Sequence, residues 1–353
     1  MKKNHPHKYA KTLNNLCNLD LDKKRILITG GTGSFGQAFV QTLLDNNPLK
    51  TLVVLSRDEL KQYEMQNRLI THPKFKCMRF FIGDVRDQHR MEMAMREVDY
   101  VVHAAALKQI TTAEYNPFEC IHTNVIGAEN IVNAALRAGV EKVIALSTDK
   151  AVSPINLYGA SKLASDKIFV AANHLSGSLG TRFSVVRYGN VLGSRGSVIP
   201  YFNSLIRSGA KSLPITDKRM TRFWITQNQG VEFVLSSMGM MHGGEIFIPK
   251  IPSMKITDLA KAMAPGLPHE IIGIRPGEKL HEQMITEGDS YTTLEFNDRY
   301  IIEPAFAWWD REPYTDNGAT RVKEGFIYAS NTNTEWLSGE DLKRLIGENN
   351  ITD

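Results

Sequence analysis

The residues best equipped for chemistry lie together in Ser147–Lys162, which reads STDKAVSPINLYGASK. Tyr158 and Lys162 are four apart, so a helix carries both side chains on one face. A free tyrosine titrates near pH ~10, and a neighbouring ammonium favours its phenolate. The pair therefore suits proton removal from a hydroxyl near neutral pH. Alone, Tyr-x-x-x-Lys is also the pattern of an ordinary amphipathic helix. The reading changes because an acid and a base, Asp149 and Lys150, stand eight or nine positions before Tyr158, with Thr148 beside them. These five side chains form a candidate active site.

Such residues need a rigid strand end to hold them. Lys142–Leu146 (KVIAL) is an apolar, β-branched run that reads as a buried parallel strand, and open α/β sheets place their chemistry where such strands give out. Pro154 and Asn156 punctuate a short loop, and helix follows from Leu157 to about Ala172. A first strand, Lys24–Thr29, runs into Gly30-Gly31-Thr32-Gly33-Ser34-Phe35-Gly36 and then the helical pattern FGQAFVQTLL. That is the order a dinucleotide site requires. Gly30 makes the tight turn, Gly33 admits the pyrophosphate and Gly36 allows close helix–strand packing. Backbone N–H groups at the helix start hold the phosphates. A cationic nicotinamide bound there would add to the pull on the Tyr158 proton.

The second strand, Thr51–Leu55, ends in Ser56 and Arg57, with Lys61 one helical turn on. NAD enzymes usually carry an acid at this slot for the ribose hydroxyl, whereas these donors suit a 2′-phosphate and favour NADP. Arg57 and Lys61 also read as solvated helix-start charges, and Asp58 could serve a ribose. A third strand, Met78–Ile82, leads to Asp84, an acceptor for the adenine amino group or a turn aspartate, and to Val85, which would line that pocket. The fourth, Tyr100–His103, gives Ala104 and Ala105, small enough for close passage to the cofactor. Lys108 then reads as a phosphate or sugar contact or as an exposed lysine, and His103 as a core histidine. Phe118–Ala138 reads as a long buried helix and Phe183–Val186 as another strand, with a Ser176-Gly177-Ser178 loop before it.

This alternation predicts an α/β doubly wound parallel sheet of the Rossmann type. After Val186 it breaks. RYGNVLGSRGSVIP suggests a substrate-binding crossover, and Arg275-Pro276-Gly277-Glu278 presents an arginine before a rigid turn, suited to a diphosphate but also to a plain surface turn. The expected division is an extension over 1–21, a dinucleotide domain over 22–188 and a smaller mixed α/β substrate domain mainly over 189–353. Residues 245–249 are expected to return to the first sheet, and Trp308-Trp309-Asp310 and the tail from Phe326 to close the smaller domain.

Composition excludes several classes. A net charge of +4 spread along the chain leaves no nucleic-acid footprint, and no apolar run approaches the ~20 residues of a membrane span. MKKNHPHKYAK has no apolar segment behind its charges, so no secretory signal is expected. Cys17, Cys77 and Cys120 have no metal-like spacing and read as reduced thiols of a cytoplasmic protein. Only His5 and His7 are close in sequence, and no metal is assigned.

TGGTGSFG, STDK, YGASK, RYGNVLGSRGSVIP and RPGEKLHE together resemble the extended short-chain dehydrogenases/reductases, over about residues 22–346. Asp149-Lys150 combined with Tyr158 is similar to the inverting UDP-N-acetylglucosamine 4,6-dehydratases that open pseudaminic acid synthesis. Sugar-nucleotide 4-epimerases generally lack the Asp-Lys pair, and membrane-bound relatives have methionine in place of Tyr158. Thr111 departs from the pattern, which has proline there. The resemblance implies a UDP part bound by Asn190, Arg275 and Glu278, with Arg195 and Arg222 as further candidates and Lys108 near both cofactor and substrate. It also implies a homo-oligomer, a hexamer. A retaining dehydratase, an epimerase or reductase of the same fold and an NADP-sensing protein are the alternatives.

Overall fold

The chain is seen in a computed structural model that describes residues 19–177, 180–307, 309 and 313–348. Residues 1–18, with His5, His7 and Cys17, lie outside the described residues, as do Ser178, Trp308 and Asp310.

Six short apolar runs make the heart of the structure. β1 (Arg25–Thr29), β2 (Thr51–Ser56), β3 (Met78–Ile82), β4 (Tyr100–His103), β5 (Lys142–Thr148) and β6 (Arg182–Tyr188) lie parallel in the order β3-β2-β1-β4-β5-β6. Helices pack on both faces, so Ile26, Leu27, Ile28, Val143 and Ile144 are buried. Such strands read as unbroken apolar stretches rather than alternating ones. The strand order reverses between β1 and β4, which opens a crevice at their carboxyl ends.

The later strands are β7 (Asn190–Val191), β8 (Leu213–Ile215), β9 (Thr221–Ile225), β10 (Ile246–Pro249), β11 (Ser253–Lys255), β12 (His269–Ile271), β13 (Gln283–Ile285), β14 (Thr293–Glu295), β15 (Arg299–Ile302), β16 (Thr320–Arg321) and β17 (Tyr328–Ala329). β10 pairs parallel with β6, and β15, β14 and β16 follow antiparallel, completing ten strands. β7, β9 and β11 form a separate small sheet. Around it the helices Val198–Arg207, Ile256–Met263 and Gly339–Glu348 enclose a second core that includes Ile199, Phe202, Leu259 and Leu342. β9 is the wall between the cores. Its side chains alternate, so Phe223 and Ile225 enter the large core and Trp224 the small one.

Trp309 and Phe326 depart from expectation. The Trp309 ring meets His174 edge-on at 5.3 Å between centroids, and Phe326 packs on Tyr300 at 5.2 Å. Phe326 lies against the large core, because β14–β16 extend that sheet toward it. The helix Gly339–Glu348 does pack on the small core through Leu342.

Candidate active site

β5 ends at Thr148, and Asp149–Ala151 makes one tight helical turn before the loop to the helix Leu157–Ala171. Asn156 starts that helix, its Oδ1 accepting from the Gly159 N–H at 2.7 Å. Glycine is required next, because a Cβ on residue 159 would strike the Lys150 carbonyl. The Asp149-Lys150 turn therefore rests directly on the first helical turn, and the Thr148 hydroxyl comes beside the Tyr158 phenol.

Asp149 is fully buried. Its Oδ1 accepts from Thr148 Oγ1 and from Lys150 Nζ, each at 2.9 Å, while its Oδ2 is buried without a hydrogen-bond partner. Lys150 Nζ also donates to Asn190 Oδ1 at 3.3 Å and lies 3.5 Å from Glu282 Oε1. Burial pulls the Lys150 amine down, but the Asp149 and Glu282 carboxylates outweigh it and hold the amine above its ordinary range. Two carboxylates face the amine, Asp149 on its own turn and Glu282 from beyond it. Burial pushes Tyr158 up to about 12, with Lys150 opposing and Asp149 adding to the rise. Burial lowers Lys162 against the pull of Asp166. Asp166 in turn accepts from Ser147 Oγ at 2.8 Å and Arg187 Nη2 at 3.2 Å, a buried network behind the helix.

On the other side of the crevice Gly30 turns at φ +66°, and a Cβ there would come within 2.9 Å of the Ala105 backbone, which accounts for the glycine. The helix Ser34–Asn46 has no side-chain cap. Its first-turn N–H groups have no intrahelical partners, so the loop fits a pyrophosphate. Thr32 O accepts from Arg195 Nη2 at 2.9 Å, and Arg195 O accepts from Lys108 Nζ at 3.1 Å, so Arg195 straps the glycine loop rather than standing apart from it.

At the β2 end, Ser56 is buried and bonded to Gln62, and Arg57 is half exposed, 3.5 Å from Asp84. Lys61 Nζ lies 2.5 Å from Asp58, whose carboxylate also caps the following helix. Asp84 accepts from Arg86 through the backbone N–H and the guanidinium. Val85 is buried beside it. His103 is a core histidine with Nδ1 2.9 Å from Thr29 Oγ1, kept neutral by burial that lowers it to about 3.

Arg222 is buried and gives its guanidinium to the carbonyls of Thr221, Leu280 and Lys279. Arg275 and Glu278 are 3.5 Å apart on the exposed turn. That turn is tied to the loop after β5 by Asn156 Nδ2 donating to Gly277 O at 2.8 Å and Lys279 Nζ donating to Val152 O at 2.5 Å.

Ser34, Phe35, Gly36, Ser56, Arg57, Lys61, Asp84, Val85, Lys108, Thr148, Lys150, Tyr158, Lys162, Asn190, Arg195, Arg222, Arg275 and Glu278 all line one continuous cleft of about 1270 Å³. A pocket for one small ligand is typically ~300–1,000 Å³, so there is room for a dinucleotide and a second ligand together. Asp149 stands behind the wall. Sequence reasoning passed over Glu282, Asn156 and Asp166. Glu282 closes the RPGEKLHE motif, but nothing local announces a contact with Lys150. Among the described residues no cluster of His, Cys, Asp and Glu could hold a metal ion.

A doubly wound sheet with a glycine loop at its switch point, and a Tyr-x-x-x-Lys helix facing it, defines an extended short-chain dehydrogenase/reductase. The chain belongs to the family described as polysaccharide biosynthesis protein, which matches residues 26–304. It is 58% identical over 330 residues to the UDP-N-acetylglucosamine 4,6-dehydratase (inverting) of Campylobacter jejuni serotype O:2, covering 92% of this chain and 98% of the relative. Among solved structures, Pen from Bacillus thuringiensis superposes with a TM-score of 0.85 at 36% identity, covering 94% of this chain and 100% of that one. A dTDP-glucose 4,6-dehydratase from Streptomyces venezuelae, with NAD and TYD bound, superposes with a TM-score of 0.64 at 25% identity over 72% of this chain and 86% of that one.

Proposed function

We propose that this protein converts UDP-N-acetylglucosamine to UDP-2-acetamido-2,6-dideoxy-β-L-arabino-hexos-4-ulose, losing water across C5–C6 and inverting C5, as the first step of pseudaminic acid synthesis. The observation that carries this reading is the Asp149-Lys150 turn resting on the Tyr158 helix, in a chain so similar to an inverting dehydratase.

Gly30, Thr32, Gly33, Ser34, Phe35 and Gly36 would hold the pyrophosphate, and Ala104, Ala105 and Lys108 would flank the dinucleotide. Ser56, Arg57 and Lys61 suit a 2′-phosphate, which supports NADP. Val85 would line the adenine pocket, with Asp84 as a candidate partner of the adenine amino group. A nicotinamide bound there would supply the hydride acceptor for C4 and the donor for C6, with no net oxidation. Lys162, an ammonium beneath the tyrosine, favours loss of the Tyr158 proton, and Tyr158 then takes the proton of the 4-hydroxyl. The resulting ketone acidifies the hydrogen on C5. Passing one proton along the 2.9 Å bond from Lys150 to Asp149 turns the resting ion pair into a free amine and a carboxylic acid. Lys150 then takes the C5 proton, and Asp149 protonates the departing 6-hydroxyl; as C6 receives hydride, C5 takes up a solvent-derived proton on the opposite face. Thr148 orients Asp149 through its 2.9 Å bond to Oδ1 and stands beside the Tyr158 phenol. Asn190, Arg275 and Glu278 would bind the UDP part, and Arg195 and Arg222 would shape its surroundings.

Incubation with UDP-N-acetylglucosamine in D₂O, followed by NMR of the first product, tests the reading. The L-arabino sugar should form with one deuterium at C5 and none at C6. A D-xylo sugar formed first makes the enzyme a retaining dehydratase. A product that keeps its 6-hydroxyl makes it an epimerase.

A homo-oligomer, a hexamer, and a cytoplasmic location complete the proposal. Tyr115 and Phe118, 82% and 76% exposed on adjoining helices, support an association surface that sedimentation would detect. Free Cys77 and Cys120 support a reducing compartment. Among the described residues no helix is long and apolar enough to cross a membrane.

A further inference from the structure

Glu282 is 2% exposed, yet it lacks the partners a buried carboxylate usually has. Among the described residues its Oε2 accepts no hydrogen bond, and Lys279 Nζ stays 4.0 Å away because it donates to Val152 O. Arg222 is the natural bidentate partner, but its terminal nitrogens go to backbone carbonyls and only Nε approaches Oε1, at 3.7 Å. The nearest cation to Glu282 is therefore Lys150, at 3.5 Å. The backbone holds the carboxylate there firmly. Glu282 N–H donates to Ser330 Oγ at 2.9 Å, Ser330 N–H donates to Glu282 O at 2.8 Å, and Ser330 Oγ lies 2.7 Å from Thr221 Oγ1.

We infer that Glu282 is a positioning residue that retains the single proton shared by Lys150 and Asp149 and keeps Lys150 turned toward Asp149. Lys150 is faced by Asp149 on its own turn, by Glu282 and Lys279 from the loop before β13, by Arg222 on β9, by Lys108 across the cleft and by Tyr158 beneath. Of these only Asp149 and Glu282 are anionic, so removing Glu282 removes one of the two charges that keep the proton on the pair. Burial raises Glu282 itself above the usual carboxylate range, against the opposing pull of Lys150. The functional consequence rests on the proposed dehydration.

The test is trace acetylation of the whole free protein at pH 9, with Lys150 quantified by mass spectrometry against exposed Lys50. Opposite charges this close typically shift a pKa by ~1–3 units. Glu282→Gln should therefore acetylate Lys150 at least about tenfold faster than wild type. Glu282→Asp, which keeps the charge but draws it back by one methylene, should show a smaller increase. In turnover, the alkaline limb of kcat should move to lower pH in Glu282→Gln with KM little changed, whereas a structural defect would lower the amplitude and leave the limb in place. Unchanged Lys150 reactivity in either folded variant overturns the inference. Faster acetylation in a protein whose wild type loses no water upholds the coupling and refutes the dehydratase reading instead.

Discussion

Asn156 joins two parts of the site with one side chain, and its removal separates their contributions. Its Oδ1 caps the helix carrying Tyr158 and Lys162, and its Nδ2 holds the Gly277 carbonyl of the turn carrying Arg275 and Glu278. Asn156→Ala loses both. A helix cap is worth about 0.5–2 kcal/mol and a hydrogen bond about 0.5–1.5, so the loss should total about 1–3.5 kcal/mol. For 353 residues an unfolding entropy of about 2.1 cal/mol/K per residue gives about 0.7 kcal/mol per kelvin, so Tm should fall by about 1–5 °C. Asn156→Asp keeps the cap but sets a carboxylate against the Gly277 carbonyl. It should retain at least half of the lost stability while KM for the sugar nucleotide rises about 3–10-fold, the equivalent of one hydrogen bond. Thermal unfolding and initial-rate kinetics on the three proteins decide. If Asn156→Asp binds the sugar nucleotide as wild type does, Lys279 alone holds the turn and the reasoning fails.

Three further outcomes are expected. Arg57→Ala should weaken NADP binding at least about tenfold, since a charged hydrogen bond is worth about 1.5–3 kcal/mol, and leave NAD binding nearly unchanged; equal losses in calorimetry would remove the 2′-phosphate assignment. Lys150→Ala should lower water loss by about 10²–10⁴-fold yet still allow a C4-oxidised sugar that keeps its 6-hydroxyl, and normal product by NMR would exclude Lys150 from the elimination. Burial raises Tyr158 to about 12, so in the ligand-free protein its phenol stays neutral as pH rises past the ordinary tyrosine range; the ultraviolet difference between wild type and Tyr158→Phe should show no phenolate below about pH 11, and ionisation near pH 8 would contradict the geometry.

The nucleotide half of the fold is legible because its strands are buried on both faces: Leu27, Ile28, Val143 and Ile144 leave little else to read. The far edge is not. β15 contains Arg299, fully buried yet charged, held by Asp298 at 2.8 Å, bonded to Ser236 and Ser237 and stacked over Phe233. A buried arginine breaks the apolar pattern that marks a strand. The site divides in the same way. Asp149, Lys150, Tyr158 and Lys162 are close in sequence, so helical spacing reveals them. Glu282 reaches Lys150 only through the fold, and the turn of Arg222 toward backbone carbonyls depends on where Leu280 and Lys279 come to rest.

The late arrival of β10 has a consequence for synthesis on the ribosome. In the finished sheet β6 is an interior strand, but in the nascent chain it is the edge, and its outer hydrogen-bonding groups wait until Ile246–Pro249 has been made. Val185 and Val186 sit on that edge, and a long apolar edge is a template for wrong pairing. The chain between Tyr188 and Ile246 must emerge and clear the way before β10 can dock. A fragment stopped at Tyr188 would contain every element of the glycine loop and the tyrosine helix, and it would keep the naked edge permanently. The glycine-loop half of the sheet thus closes its edge only with a strand made some sixty residues after it.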